Sequence, residues 1–211
     1  MRAKVFGIGL NKTGTTTLGA CLEHLGYRHL SHRHDLLKLF RKGRIDDVFA
    51  VMDDYDSFED WPYPLMVDEL LERYGPDSKF ILTRRSSAEK WLKSIENHAI
   101  YTSPFKQSRK LAYGYWFPQA ARQQHLAFYE EHLLRMRKLF ADRGEEHRLL
   151  EMCWEEGDGW QELCSFLGLT VPDESLPVSN VTATRKSSGW ELLNRLLIAG
   201  LTAAHKATGY S

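Results

Sequence analysis

The sequence predicts a three-layer α/β domain, a parallel sheet flanked by helices on both faces. Three observations predict it. The opening stretch, residues 4–27, reads as strand, glycine-bearing turn and helix. A second strand, 79–83, also runs into a helix, at 87–97. Between and after them, short apolar runs alternate with segments of helical spacing. Parallel strands need such crossovers, and the helices then cover the sheet on both sides. The 211 residues suit a single domain, 1–211, with a C-terminal helix at 188–206.

Each element rests on its own pattern. In 4–10, Val5, Phe6, Ile8 and Leu10 alternate with or flank small residues, as in a short buried strand. Leu18, Cys21, Leu22 and Leu25 then recur at helical spacing, giving a helix over 15–25. Helical patterning also covers 35–41 and 65–74. The run Val48-Phe49-Ala50-Val51-Met52 reads as a strand ending in Asp53-Asp54. The turn Gly75-Pro76-Asp77-Ser78 introduces the strand Lys79-Phe80-Ile81-Leu82-Thr83. After Pro118 a long helix puts Leu126, Tyr129, Leu133, Met136 and Phe140 on one side. Residues 148–152 form a further strand, and 159–167 a helix stopped by Gly168. Asp158 is placed to accept from that helix's first N–H groups. The last helix, 190–204, contains Leu196-Leu197-Ile198-Ala199-Gly200-Leu201. This run is far short of the roughly 20 apolar residues of a membrane span, so core packing or a partner groove is its expected use.

Composition narrows the function classes. Lysine plus arginine and aspartate plus glutamate both number 28, so the formal net charge is zero. No global field recruits nucleic acid or an acidic membrane, and any anion site must be a local cluster. Cys21, Cys153 and Cys164 are widely spaced and form no CxxC pair, which argues against a metal or disulfide framework. The chain enters a strand almost at once, so no signal peptide is expected and a reducing, cytoplasmic setting is the default.

The chemistry concentrates in the turn after the first strand, Asn11-Lys12-Thr13-Gly14-Thr15-Thr16-Thr17. One cation, a flexible glycine and four hydroxyls stand where backbone N–H groups and a helix N-terminus can face an anion. That makes it a phosphate cradle. Gly9 and Gly14 have the spacing of the nucleotide-binding G-x-x-x-x-G-K-[ST] loop, but Thr15 stands where its lysine belongs. Lys12 lies before Gly14 and reaches a phosphate from the other side of the loop.

At Lys12-Thr13-Gly14-Thr15-Thr16 the chain resembles the sulfotransferases, whose loop reads Pro-Lys-Ser/Thr-Gly-Thr-Thr, with Asn11 in place of the proline. The resemblance implies a P-loop-like sulfotransferase fold. It also implies 3′-phosphoadenosine 5′-phosphosulfate (PAPS) as cosubstrate and adenosine 3′,5′-bisphosphate as product, with no metal. In that family an arginine at a strand end and a serine two turns along the next helix hold the 3′-phosphate. Here the strand 79–83 ends in Arg84-Arg85, and Ser94 follows in the helix. The family spacing of eight fits neither arginine; Arg85 is favoured, with Arg84 a helper. A paired-donor guanidinium suits phosphate. A closing loop near the C-terminus is matched in part by Arg185-Lys186 and Gly189, which otherwise form a solvated basic loop. A narrower group of sulfotransferase-like proteins also shares the Gly157-Asp158-Gly159-Trp160, Leu163-Cys164 and Phe166-Leu167-Gly168 segment.

Sulfuryl transfer needs charge neutralisation and an acceptor oxygen in line. Lys12 is expected to neutralise charge. The family's histidine base, in a His-x-Pro segment, is replaced by Asp60-Trp61-Pro62, so Asp60 is the first candidate base. Asp53, Asp54, Asp56 and His32 are rivals. His29, His32 and His34 read as a zinc set, as acceptor-pocket groups or as surface residues. Trp61, Tyr63, Tyr101, Phe105, Tyr113, Tyr115, Trp116 and Phe117 either line a ring-bearing acceptor pocket or pack the core. The expected partner is a small-molecule, glycan or lipid acceptor, sulfated on a hydroxyl or an amine. The competing readings are a P-loop phosphotransferase using Mg-ATP, with Asp53-Asp54 on magnesium, and a nucleotide-binding protein without transfer.

Overall fold

The computed structural model describes residues 3–177 and 190–208. Its five strands are β1 Val5–Gly7, β2 His29–Leu30, β3 Ser57–Phe58, β4 Lys79–Thr83 and β5 Leu149–Met152. They form one sheet of order β2-β3-β1-β4-β5, and every neighbouring pair is parallel. The chain leaves the central β1 for one edge, returns to β3, then crosses to β4 on the other side. The order therefore reverses at β1, and the crevice beyond its carboxyl end is where such sheets take ligands.

Strand alternation builds the layers. Phe6, Ile8, Phe58, Phe80 and Leu82 face one side. There they pack on α2 (His34–Arg41), α3 (Ile45–Met52), α4 (Val67–Tyr74) and α7 (Arg122–Asp142). Val5, Ile81 and Met152 face the other side, against α1 (Thr15–His24) and α8 (Trp160–Leu167). A third cluster joins α5 (Ala88–Tyr101), α6 (Gln107–Tyr113) and α7 around Trp91, Trp61 and Tyr113. Cys21 and Cys164 sit in the α1–α8 core, and burial pushes the Cys21 thiol up to about 12. All three cysteines are free.

Two expectations are corrected. Residues 48–52 are the end of helix α3, not a strand. Val48, Phe49 and Met52 are buried at helical spacing, and Asp46 and Asp47 lie in the first turn, where the helix dipole favours them. An apolar run of five does not distinguish a strand from a short helix. Asp158 does not cap α8: its Oδ2 accepts from Cys153 N at 2.6 Å. Instead Glu162 Oε2 accepts from Gly159 N at 2.7 Å.

The C-terminal helix α9 (Trp190–Thr208) is docked by two buried residues, Asn194 and Ile198. Asn194 Nδ2 donates to the carbonyls of Ile100 (2.9 Å) and Thr102 (2.6 Å). Trp190, Leu192, Leu193, Leu196 and Leu197 remain exposed. Among the described residues, no helix is long and apolar enough to cross a membrane.

Candidate active site

The loop between β1 and α1 is shaped by its own side chains. Ile8 N donates to Ile81 O at 2.8 Å, and Gly9 then passes so close to β4 that a Cβ would lie 2.1 Å from Thr83 Oγ1. The buried Thr13 hydroxyl meets Thr83 Oγ1 and the Leu10 carbonyl, both at 2.6 Å, so it fastens the loop to β4. Lys12 adopts a left-handed φ of 71° and Gly14 one of 94°. A side chain at Gly14 would also meet the Trp154 indole at 2.4 Å. These turns bring the chain into α1 with no side-chain cap at its N-terminus among the described residues. That is the open helix N-terminus an anion needs. Thr16 is exposed beside it, Thr17 is half-buried and Thr15 is buried.

Asn11 does more than replace a stiff residue. Its carbonyl accepts from Trp91 Nε1 at 3.0 Å, and its Oδ1 accepts from the Tyr113 hydroxyl. These bonds anchor the loop to α5 and α6. The buried His132 ring bonds the Ile8 carbonyl at 2.7 Å, and burial lowers its pKa to about 4, so it is a neutral anchor for the end of β1.

The two arginines after β4 have different surroundings. Arg84 Nε lies 2.6 Å from Glu151 Oε1, and its Nη atoms lie 3.0 and 2.6 Å from the Glu156 carboxylate. Glu156 and Glu151 hold its pKa well above the ordinary arginine range. Arg85 has one looser carboxylate contact, Nη2 to Glu155 Oε1 at 3.3 Å. Its buried Nε has no hydrogen-bond partner among the described residues. Ser87 caps α5 by accepting from Lys90 N, and Ser94 lies half-buried further along the same helix. Arg185 and Lys186 lie outside the described residues.

Asp60 stands at the carboxyl end of β3, beside β1. It has a left-handed φ of 66°, and its Oδ1 accepts from Trp61 N at 2.7 Å. Burial and the neighbouring Glu59 charge push its pKa up to about 7, while Lys106 and Lys12 pull it down. Asp60 and Lys12 therefore share one electrostatic neighbourhood. Both also hold strained backbone, which clusters at functional sites. The three rival aspartates lie elsewhere. Asp56 O accepts from Val5 N at 2.9 Å, and Lys4 Nζ donates to the Asp53 carbonyl at 3.4 Å. The Asp54 charge also acts on Lys4. Asp53, Asp54 and Asp56 thus gather at the amino ends of the strands, across the sheet from the loop. The expected site position of Asp53-Asp54 fails because it rested on the strand that is helix α3.

The histidines separate too. His29 turns inward, with Nδ1 2.9 Å from Ser57 Oγ and Nε2 3.9 Å from Glu59 Oε1. His34 Nε2 lies 3.1 Å from Gln107 Oε1. His32 lies just past β2: burial, Lys106 and His34 lower its pKa, against Glu59 and the Trp61 carbonyl. No group of three metal-ligating side chains is found among the described residues. Of the eight aromatics, Trp61, Tyr63, Tyr113 and Phe117 are core, whereas Phe105 and Trp116 are exposed. Sequence reasoning missed Glu59, Lys106 and Trp154. Glu59 directly follows β3 and precedes Asp60, so its position is recognisable only once β3 is fixed; Trp154 lies just past β5, and its approach to Gly14 shows only in three dimensions.

A parallel sheet with an anion-ready loop at its reversal point and arginines on the adjoining strand end defines a P-loop-like α/β protein. This chain belongs to the sulfotransferase domain family, whose model matches residues 4–185. It is also 28% identical over 214 residues to the Ava biosynthesis cluster protein M of Aspergillus versicolor. The match covers 82% of this chain and 79% of that protein.

Proposed function

We propose that this sulfotransferase-family protein moves a sulfuryl group from PAPS to an acceptor hydroxyl. The observation that carries the reading is the juxtaposition of Lys12, the uncapped α1 N-terminus and Asp60 at the carboxyl ends of β1 and β3. The residues fit the cosubstrate. The α1 N-terminus and loop residues Lys12 to Thr17 would take the 5′-phosphosulfate, and Arg85 with Ser94 the 3′-phosphate. The unpartnered Arg85 Nε favours Arg85 over the doubly paired Arg84.

In the transfer, Asp60 accepts the acceptor proton as the acceptor oxygen bonds sulfur. The bond from sulfur to the 5′-phosphate oxygen breaks, and its electron pair leaves with adenosine 3′,5′-bisphosphate. Lys12 neutralises the charge that builds on that bridging oxygen. A carboxylate with a pKa near 7 is matched to proton abstraction near neutral pH. The magnesium reading is weakened because its proposed ligands, Asp53 and Asp54, sit at the amino ends of the strands.

Thermal shift tests this reading, because a ligand stabilises the folded state by mass action. Adenosine 3′,5′-bisphosphate should raise the melting temperature without metal, and ATP with magnesium should not. The reverse pattern would favour a phosphotransferase.

A further inference from the structure

The C-terminal helix α9 meets the rest of the protein on one side. Asn194 and Ile198 are buried there, and Leu201 packs with Ile198 beside Phe117. The helical period puts two groups on the opposite half. Leu192, Leu193, Leu196 and Leu197 come first; Ala199, Gly200, Ala203 and Ala204 follow, and all eight are exposed. Trp190, at 69% exposure, extends the first group. No charged or polar side chain interrupts that half between residues 190 and 204. The flanking charges, Glu191 and Arg195, pair with each other at 2.7 Å.

Scattered surface leucines are ordinary, but a continuous charge-free face marks an interaction surface. Its large residues alone leave on the order of 500 Å² exposed, and a standard dimer interface takes about 800 Å² from each partner. The small residues supply part of the remainder. So does a groove of about 500 Å³ that Ala199 and Ala203 line with Ile100 and Gln119. Three occupants compete for the face. The preceding segment, 178–189, offers two valines and one alanine, too little apolar bulk to cover five large residues. A bilayer is drawn by basic residues beside an apolar face, but here the flanking charges are paired and the net charge is zero. Lipid also gains little from the alanine and glycine half. A second copy fits both halves. In an antiparallel pair the leucines of one helix lie over the small residues of the other, and a two-fold axis makes that match twice. A Cβ at Gly200 would meet nothing within 4 Å, so the backbone there is open to a close neighbour.

We propose that α9 is the dimer interface of this protein. It pairs antiparallel with α9 of a second copy, the leucine half of each helix over the alanine and glycine half of the other. The inference needs neither PAPS nor the anion loop, so it stands apart from the proposed reaction.

Sedimentation equilibrium of the full chain should give twice the chain mass at micromolar concentrations. Leu193→Glu puts a charge into the interface, and Gly200→Leu holds the two helices apart. Each should weaken dimerisation by about tenfold or more. Gly200→Leu is the discriminating variant, because it improves helix propensity and adds apolar surface. Lipid binding or unspecific association would grow in it, whereas the antiparallel dimer is lost. A cooperative melt and a native circular dichroism spectrum show that each variant is folded. A monomer throughout the micromolar range overturns the proposal. So does dimerisation that either folded variant leaves unchanged, or that Gly200→Leu strengthens. Flotation of a monomeric chain with phosphatidylcholine–phosphatidylserine vesicles would assign the face to a membrane and overturn it as well.

Discussion

Two residues with left-handed backbone, Lys12 and Asp60, carry the proposed chemistry, and each makes a separable prediction. Lys12→Ala should lower turnover by about 10²–10³, the loss typical of one preorganised charge donor. Its effect on bisphosphate affinity should be smaller, as single-turnover rates set beside equilibrium binding would reveal. Asp60→Asn should cut the rate by about 10²–10⁴ and leave bisphosphate binding intact. Asparagine tolerates a left-handed φ, so the backbone survives the change. Wild-type rate should climb with pH through about 7 as Asp60 ionises, and the variant should lose that limb. The same group has a stability signature of known sign. Its folded pKa is raised, so the folded state binds the extra proton between about pH 4 and 7. Stability therefore falls as pH rises through that window. Asp60→Asn should melt above wild type at pH 8 and match it near pH 4; an identical difference at both would refute the burial of that carboxyl.

At the scale of elements, the loop depends on glycine for two independent reasons. Gly14 has a left-handed φ, and a Cβ there would overlap the Trp154 indole. Gly14→Ala should therefore abolish bisphosphate binding while the sheet still melts cooperatively; binding within threefold of wild type would contradict the loop geometry. The β1–loop–α1 unit was legible in the sequence because its apolar periodicity switches at a glycine. Strand β4, with turn residues before it, was legible for the same kind of reason. β2 and β3 were not, since a two-residue strand carries no period. Their absence from the sequence reading hid Glu59, while reading the end of α3 as a strand misplaced the Asp53-Asp54 pair. Asp60 was nominated through the likeness of Asp60-Trp61-Pro62 to the family's His-x-Pro segment, whereas its raised pKa could come only from three-dimensional burial. The cradle's fastening by Thr13, Asn11 and Trp91 was illegible too, because its partners Thr83 and Tyr113 are remote in sequence.

At the scale of the molecule, parallel strands gather the loop, Arg85, Asp60 and His32 at the carboxyl end of the sheet. That convergence is what the proposed local anion site of a near-neutral chain rests on, since no global field is present. The most direct test is calorimetric titration of adenosine 3′,5′-bisphosphate into the protein in EDTA, with Arg84→Ala and Arg85→Ala alongside. Tight metal-independent binding is expected. Arg85→Ala should weaken it by about 10–150-fold, equivalent to about 1.5–3 kcal/mol for a charged hydrogen bond. Adenosine 5′-phosphosulfate, which lacks the 3′-phosphate, should be nearly indifferent to the same change. No binding in EDTA, or equal losses for both nucleotides, would contradict a 3′-phosphate site at Arg85 and the sulfuryl-donor cradle built around it.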